Sequence, residues 1–300
     1  MPPSITVIVN PASRRGRGAR MLPALREAFA AVGVTDVRVS AAPGEEEALA
    51  RRAVEDGRST IVACGGDGTW SNVANAILAA GADARLALVA AGTGNDFYKT
   101  VGAPARDIPA TARLAVDGPD VRIDVGRIEG RHFLNVTGFG FNMAVLDDIR
   151  RIGWLTGPAL YNYSALRQLL FYRGSEVEVA SPRGRRRDHL LLLVVTNGRH
   201  YGGTFRIATG ACLTDGRLDL VAFRDAPPLR RVRLFAAAVK GTHPAEPEVA
   251  VEQATRFTIR FGAPPAYEVD GEYHRAASAE VEVACVPAAL RVVTPANNRC

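Results

Sequence analysis

The 300-residue chain is longer than one hydrophobic core usually organises, which points to two domains. With 47% hydrophobic and 23% charged residues it is neither disordered nor collagen-like, and no apolar run nears the roughly 18 residues of a membrane helix. The net charge of +6 is carried almost wholly by arginine, since Lys99 and Lys240 are the only lysines; it suits phosphate ligands or an anionic membrane surface, and equally a merely solvated surface. No basic flank or long apolar segment opens the chain, so no signal peptide is visible and a cytoplasmic location is expected. Cys64, Cys212, Cys285 and Cys300 are scattered without a C-x-x-C pair, which indicates neither a disulfide framework nor a zinc site.

Residues 5–9 read as a short apolar strand, after which Leu22, Leu25, Phe29 and Val32 recur at helical spacing up to Gly33. Residues 37–39 read as a second strand, 45–56 as a helix and 60–63 as a third strand. A glycine-rich loop follows, then a helix carrying Val73, Ala74, Ile77 and Leu78, then a fourth strand over 86–90. This alternation implies a parallel sheet with helices on both faces. Beyond residue 121 the segments 121–125, 132–137, 176–180, 189–196, 217–223, 255–261 and 279–284 read as strands separated by turns, the spacing of an antiparallel sandwich. One helix, over 158–172, interrupts them with Leu160, Tyr163, Leu166 and Leu170 on one stripe; the arginine run over 183–187 reads as a solvated hairpin tip. The expected fold is α/β plus mostly β, with a parallel-sheet α/β domain over 1–121 and a β-sandwich domain over 122–288.

No G-x-x-x-x-G-K-[ST], G-x-G-x-x-G or H-R-D signature is present. Instead, loops of glycine and acid stand at the carboxyl ends of the parallel strands, where open α/β sheets place ligands. Gly65, Gly66, Asp67, Gly68 and Thr69 free backbone N–H groups for phosphate oxygens and lead into a helix N-terminus. Asp67, itself an anion, suits orienting Mg²⁺, a water or a donor group. Gly92, Thr93, Gly94, Asn95 and Asp96 repeat the pattern after the next strand, and two such loops side by side are hard to dismiss as turns. After the first strand, Asn10 and Ser13 offer hydrogen bonds and Arg14 offers countercharge. Asp270-Gly271-Glu272, late in the chain, fits a hairpin turn as readily as a site.

Taken together, these pieces resemble the diacylglycerol kinase catalytic-domain superfamily, which includes soluble bacterial lipid kinases and the sphingosine and ceramide kinases. Asn197-Gly198, Tyr201-Gly202-Gly203 and Thr214-Asp215-Gly216-Arg217-Leu218-Asp219 extend the resemblance over nearly the whole chain. It implies an ATP-dependent, Mg²⁺-assisted transfer to a lipid hydroxyl, most simply that of diacylglycerol or a related glycerolipid, in a cleft between two domains. A last strand, within 289–300, would return to the first domain. Asn10 and the loop from Gly65 to Thr69 would contact the nucleotide, with Asp67 and Asp96 near the metal and phosphates. Asp270 would be the general base, supported by Glu272, and Asp215 with the Arg217 backbone would hold a structural Mg²⁺. The family often has Pro in place of Thr209 and an acid in place of Thr214, a departure that touches the structural metal. Asp270→Asn is then expected to keep the fold and lose turnover. A kinase of a soluble metabolite and a nucleotide-binding regulator without catalysis are the alternatives.

A soluble enzyme acting on lipid needs transient contact with a membrane surface. Trp154, Leu155, Tyr161, Tyr163, Leu169, Leu170, Phe171 and Tyr172, near Arg150, Arg151, Arg167 and Arg173, offer an amphipathic face, most of it expected in the core and a few residues such as Trp154 docking. The basic residues are too dispersed for a nucleic-acid partner, and a homodimer stays open.

Overall fold

The computed structural model describes residues 4–102, 107–152 and 157–295, with the side chains of 157–159, 161 and 162 outside that description. Trp154, Leu155 and the Tyr161 side chain therefore lie outside the described residues. The first region runs β1 (Ile5–Val9), α1 (Ser13–Ala30), β2 (Val37–Val39), α2 (Glu45–Glu55), β3 (Thr60–Gly65), α3 (Asp67–Ala79), β4 (Arg85–Ala90), α4 (Asp96–Val101) and α5 (Ile108–Asp117). Its strands lie in the parallel order β2-β1-β3-β4. Alternation along β1 explains why both faces need cover: Ile8 packs with Leu49, Trp70 and Ile77 under α2 and α3, while Val7 and Val9 pack with Leu25, Phe29 and Ala112 under α1 and α5.

The second region contains β5 (Asp120–Ile128), β6 (Arg131–Phe133), β7 (Val136–Gly140), α6 (Phe141–Arg151), α7 (Gly157–Phe171), β8 (Ser175–Ser181), β9 (Gly184–Thr196), β10 (Leu218–Arg224), α8 (Pro228–Lys240), β11 (Val249–Ala254), β12 (Arg256–Arg260), β13 (Ala266–Val269), β14 (Glu272–Arg275) and β15 (Glu280–Val293). Apart from the junction of β15 with β4, its pairings are antiparallel, around a core that includes Phe133, Phe139, Phe257 and Val283. The long strand β15 serves both regions. It runs antiparallel to β5 and β12 and ends parallel to β4, through Arg291 opposite Arg85 and Val292 opposite Leu86. Arg291 fixes that junction with paired bonds to Asp120 (2.8 and 3.0 Å).

Two expectations about these elements change. The strand expected over 132–137 is broken into β6 and β7, because the N–H groups of Leu134, Asn135 and Val136 turn to the Asp270 carboxylate instead of a neighbouring strand. On α7 only Leu160 of the expected stripe is buried; Tyr163, Leu166 and Leu170 are exposed, since the helix docks through Arg167 and Gln168 onto Asp148 of α6 (2.6 Å each). The 183–187 run stands, as expected, at the tip of the β8–β9 hairpin with Arg183, Arg185 and Arg187 exposed, and it continues into β9, where Arg185 and Arg187 pair with Glu178 and Arg186 with Glu252. Cys64 and Cys285 are free thiols, whereas Cys212 is disulfide-bonded, a link that the scattered spacing gave no sign of. Among the described residues no helix is long and apolar enough to cross a membrane.

Candidate active site

The loops after β1, β3 and β4 are tied into one edge. Asn10 Nδ2 donates to Thr69 Oγ1 (3.1 Å), and the N–H groups of Ala91 and Gly92 both donate to the Gly65 carbonyl (2.7 and 3.0 Å). The two glycine loops touch backbone to backbone: a Cβ on Gly92 would stand 2.5 Å from Gly66 Cα, so no other residue fits there without movement. Asn95, in a left-handed conformation, closes its own loop by donating to the Gly92 carbonyl (3.1 Å). At the start of α1, Arg14, Arg15 and Gly16 all have positive φ (44°, 54° and 80°). For the two arginines this conformation costs roughly 1–2 kcal/mol each. The bend brings Arg14 to a hollow of about 270 Å³ that also meets Asn10, Ser13, Gly66, Gly68, Thr69 and Gly92, and brings Arg15 to a neighbouring cleft. Helix α3 begins at this hollow, which combines a helix N-terminus, free glycine backbone and a guanidinium, the chemistry of a phosphate site.

The neighbouring cleft, about 700 Å³, has apolar walls from Val136, Ile149 and Leu160 and an acidic floor from Asp67, Asp96, Glu268 and Asp270. Thr93 and Gly94 stand on its rim, facing this cleft and not the hollow. Asp67 Oδ1 accepts the N–H of Phe97 (3.0 Å), capping α4 from another helix. Burial raises its pKa, and the nearby Asp96 adds to the rise. Asp96 in turn is held by Lys99 Nζ (2.8 Å) and by the Gly203 N–H (2.8 Å), while Lys99 also donates to the Gly203 carbonyl (2.7 Å).

Asp270 and Gly271 form the two-residue turn of the β13–β14 hairpin, with φ of +47° and +90°, as a type I′ turn requires. Asp270 is thus a hairpin residue and a buried carboxylate at once. Oδ1 accepts the N–H groups of Asn135 (3.0 Å) and Val136 (2.9 Å), and Oδ2 that of Leu134 (2.8 Å). Burial pushes its pKa up to about 6 against the opposing pull of those three donors. The expectation that Asp270→Asn spares the fold needs correction, because an amide NH₂ would face a backbone N–H here and leave it unsatisfied. Glu272 does not support Asp270 directly. It lines the hollow instead, where it accepts from Asn72 Nδ2 and Arg131 Nη2 (3.3 Å each) and approaches Gly68. Burial raises its pKa, with Arg131 opposing.

Whether these residues suit a divalent cation turns on Gly94. A Cβ there would meet Asp96 Oδ2 at 3.4 Å and Asp67 Oδ2 at 3.5 Å, so two carboxylate oxygens face the space that the missing side chain leaves. Among the described residues no cluster of three or more His, Cys, Asp or Glu side chains could hold a metal alone. One or two carboxylates completed by phosphate oxygens and water is the usual environment of Mg²⁺, and Asp96 with Asp67 fits it. Asp215 lies away from both hollows, exposed, with Oδ1 accepting the Arg217 N–H (3.0 Å). Two carboxylates are buried near it: Asp124, whose oxygens are already taken by the N–H groups of Gly216 (2.6 Å) and Ala288 (2.8 Å), and Asp219, whose pKa burial and the nearby Asp215 push up to about 6. A cation beside Asp215 would therefore keep most of its own water.

Sequence reasoning missed Lys99, Arg131, Asn72 and Glu268. Lys99 carried a usable signal, as one of two lysines in the chain and three residues from Asp96 on a helix. Glu268 carried a weaker one: in a strand it shares a face with the residue two positions on, Asp270.

Residues 4–128 match the diacylglycerol kinase catalytic domain, and residues 135–294 match the YegS C-terminal NAD kinase beta sandwich-like domain. A diacylglycerol kinase of Mycobacterium tuberculosis is 30% identical over 97% of this chain and 95% of its own. A diacylglycerol kinase of Bacillus subtilis is 26% identical over 89% of each, and a YegS-like lipid kinase of Pseudomonas putida is 33% identical over 78% of this chain and 83% of its own. In fold, a crystal structure of a diacylglycerol kinase from Bacillus anthracis covers 97% of both chains at a TM-score of 0.71 and 18% identity. The chain belongs to the diacylglycerol kinase catalytic-domain family, and by class it is a kinase.

Proposed function

We propose that the protein transfers the γ-phosphoryl group of ATP to the hydroxyl of a membrane lipid, a diacylglycerol or related glycerolipid. The observation that carries this reading is the position of the Asp270–Glu272 turn, which separates a backbone-lined phosphate hollow from an apolar-walled, acid-floored cleft. One donor and one acceptor molecule, each in its own chamber, would meet at Asp270. Asn10, Ser13, Arg14 and the glycine loops bind the triphosphate. Mg²⁺ held by Asp96 with Asp67 supplies neutralisation of phosphate charge when bound. Asp270, about 6 in pKa and so largely ionised at neutral pH, accepts the hydroxyl proton as the new oxygen–phosphorus bond forms and the bond to ADP breaks. The three backbone donors hold that carboxylate in a single orientation.

Transient contact with a membrane surface belongs to the same proposal. Leu166 (57% exposed), Leu170 and Phe171 (74%) of α7, and Leu229 (88%) and Val232 of the adjacent α8, stand in solvent beside a helix whose Leu160 lines the acceptor cleft. Such an exposed apolar patch supports interfacial binding. The test is a lipid-panel assay with γ-labelled ATP and mass-spectrometric product identification. Label appearing in a glycerolipid supports the reading; label appearing only in a soluble metabolite pool replaces it with a soluble-substrate kinase, and no transfer to either leaves a nucleotide-binding regulator.

A further inference from the structure

The mechanism makes no use of Glu268, although this is a costly residue to place where it stands. It is 93% withdrawn from solvent (7% exposed) and lines the acceptor cleft from the face of β13 that leads to Asp270. Opposite it in β7 is Gly138, where a Cβ would stand 3.0 Å from Asn142 Nδ2, 3.2 Å from Glu268 Oε1 and 3.4 Å from the Tyr201 hydroxyl. Three polar groups from three segments converge on that point. Tyr201 and Asn142 both ease the burial of Glu268, yet Glu268 Oε1 and both amide atoms of Asn142 complete no hydrogen bond of standard geometry. An unsatisfied buried polar atom costs about 1–3 kcal/mol, and such a cost in a cleft is relieved when a ligand supplies the missing partner.

We propose that Glu268, assisted by Asn142, is a specificity-determining residue that holds the acceptor lipid by the carbonyl oxygen of the ester next to its free hydroxyl. Burial and the neighbouring Asp270 and Asp96 push the Glu268 carboxyl up to about 7, so a protonated, hydrogen-donating form is present at neutral pH. The other groups facing it are the Tyr201 hydroxyl and, along the same cleft, Arg15 and Asp67, with Lys99 already committed to Asp96. A carboxylic O–H and an amide N–H aimed at one point call for an acceptor atom, and an ester carbonyl supplies one without adding charge to an acidic floor. Glu268 and Asp270 line the same cleft, so a lipid whose hydroxyl meets Asp270 carries the carbonyl of its adjoining ester along the wall where Glu268 stands.

This inference rests on the lipid-kinase reading, and the test separates the two. Wild type, Glu268→Ala and Glu268→Gln, each checked for folding by thermal melting, are assayed on 1,2-diacylglycerol and on the 1,2-dialkylglycerol of equal chain length, which lacks the carbonyl. Wild type is expected to show a lower KM for the diester, on the order of tenfold, the worth of about one hydrogen bond. Glu268→Ala should lose that preference with the KM for ATP unchanged, and Glu268→Gln, which keeps a donor, should retain most of it. A general structural defect would weaken both lipids alike and preserve the ratio. Wild type without a preference, or Glu268→Ala with the wild-type ratio, overturns the assignment alone. Phosphorylation of neither lipid by wild type removes it together with the lipid-kinase reading.

Discussion

The phosphate hollow and the acceptor cleft share a wall and are built on opposite plans. The hollow is made largely of backbone: Gly66 against Gly92, Asn10 tied to Thr69, an exposed Arg14, and two acids, Glu46 and Glu272, the second balanced by Arg131 and Asn72. The cleft is made of side chains: Asp67, Glu268 and Asp270 are all raised in pKa by burial, and few cations stand near them. The triphosphate brings its own negative charge and needs donors that cannot move. An uncharged hydroxyl needs an acceptor poised to take its proton, and that poise requires burying acids at a cost to stability.

The largest expected effect of breaking this contrast is at Asp270. Asp270→Asn should lower turnover by a hundredfold or more while ATP still binds, and should also cost about 1–3 kcal/mol in chemical denaturation, for the backbone donor it leaves unpaired. Activity near wild type would remove Asp270 from the proton transfer. In the intact protein the same group predicts an acid limb: kcat should fall as the pH drops through about 6.

Glu268→Gln tests the cost of the acidic floor. Because the folded-state value of about 7 lies above the ordinary 4.5, the folded protein binds a proton that the unfolded chain has released between those values. The stability this gives is full below about pH 4.5 and is lost as the pH rises through 7. Glutamine carries no charge, so the variant should gain little at pH 4 and most at pH 8, on the order of 3 kcal/mol, or several degrees in Tm. A gain that is the same at both pH values would contradict the assigned burial cost.

The hollow should respond differently. Gly92→Ala forces a methyl group to within 2.5 Å of Gly66 Cα and should weaken nucleotide binding at least about tenfold in calorimetry, with little change in the cleft's pH behaviour. The smallest effect is expected at Lys99→Met, which frees Asp96 and the Gly203 carbonyl: a few-fold drop in kcat, partly recovered by raising Mg²⁺.

The contrast also explains what could be read in advance. Backbone-built features announce themselves, since only glycine allows the contact of Gly66 with Gly92 and only small or polar residues fit the bends around it. The parallel sheet was legible because β1, β3 and β4 are short apolar runs, each followed by such a loop. Side-chain-built features did not announce themselves. Glu268 sits in the strand Ala266–Val269 as an ordinary charged residue, and its surroundings come from β7, α6 and the Tyr201 loop, which no local pattern links. The break between Phe133 and Val136 was illegible for the same reason: Leu134 and Asn135 have nothing in them against a strand, and a carboxylate 135 residues away takes the N–H of Asn135. On α7 the helical stripe was readable but its burial was not, because Arg167, between Tyr163 and Leu170 on the same face, and Gln168 beside it found Asp148.

The strand shared by both regions has a consequence for how the protein is made. During synthesis β4 emerges about 200 residues before the segment of β15 that lies beside it, so at roughly 5–20 residues per second the nascent sheet carries an open edge for about ten to forty seconds. An unpaired apolar strand held open for that long is a template for wrong partners.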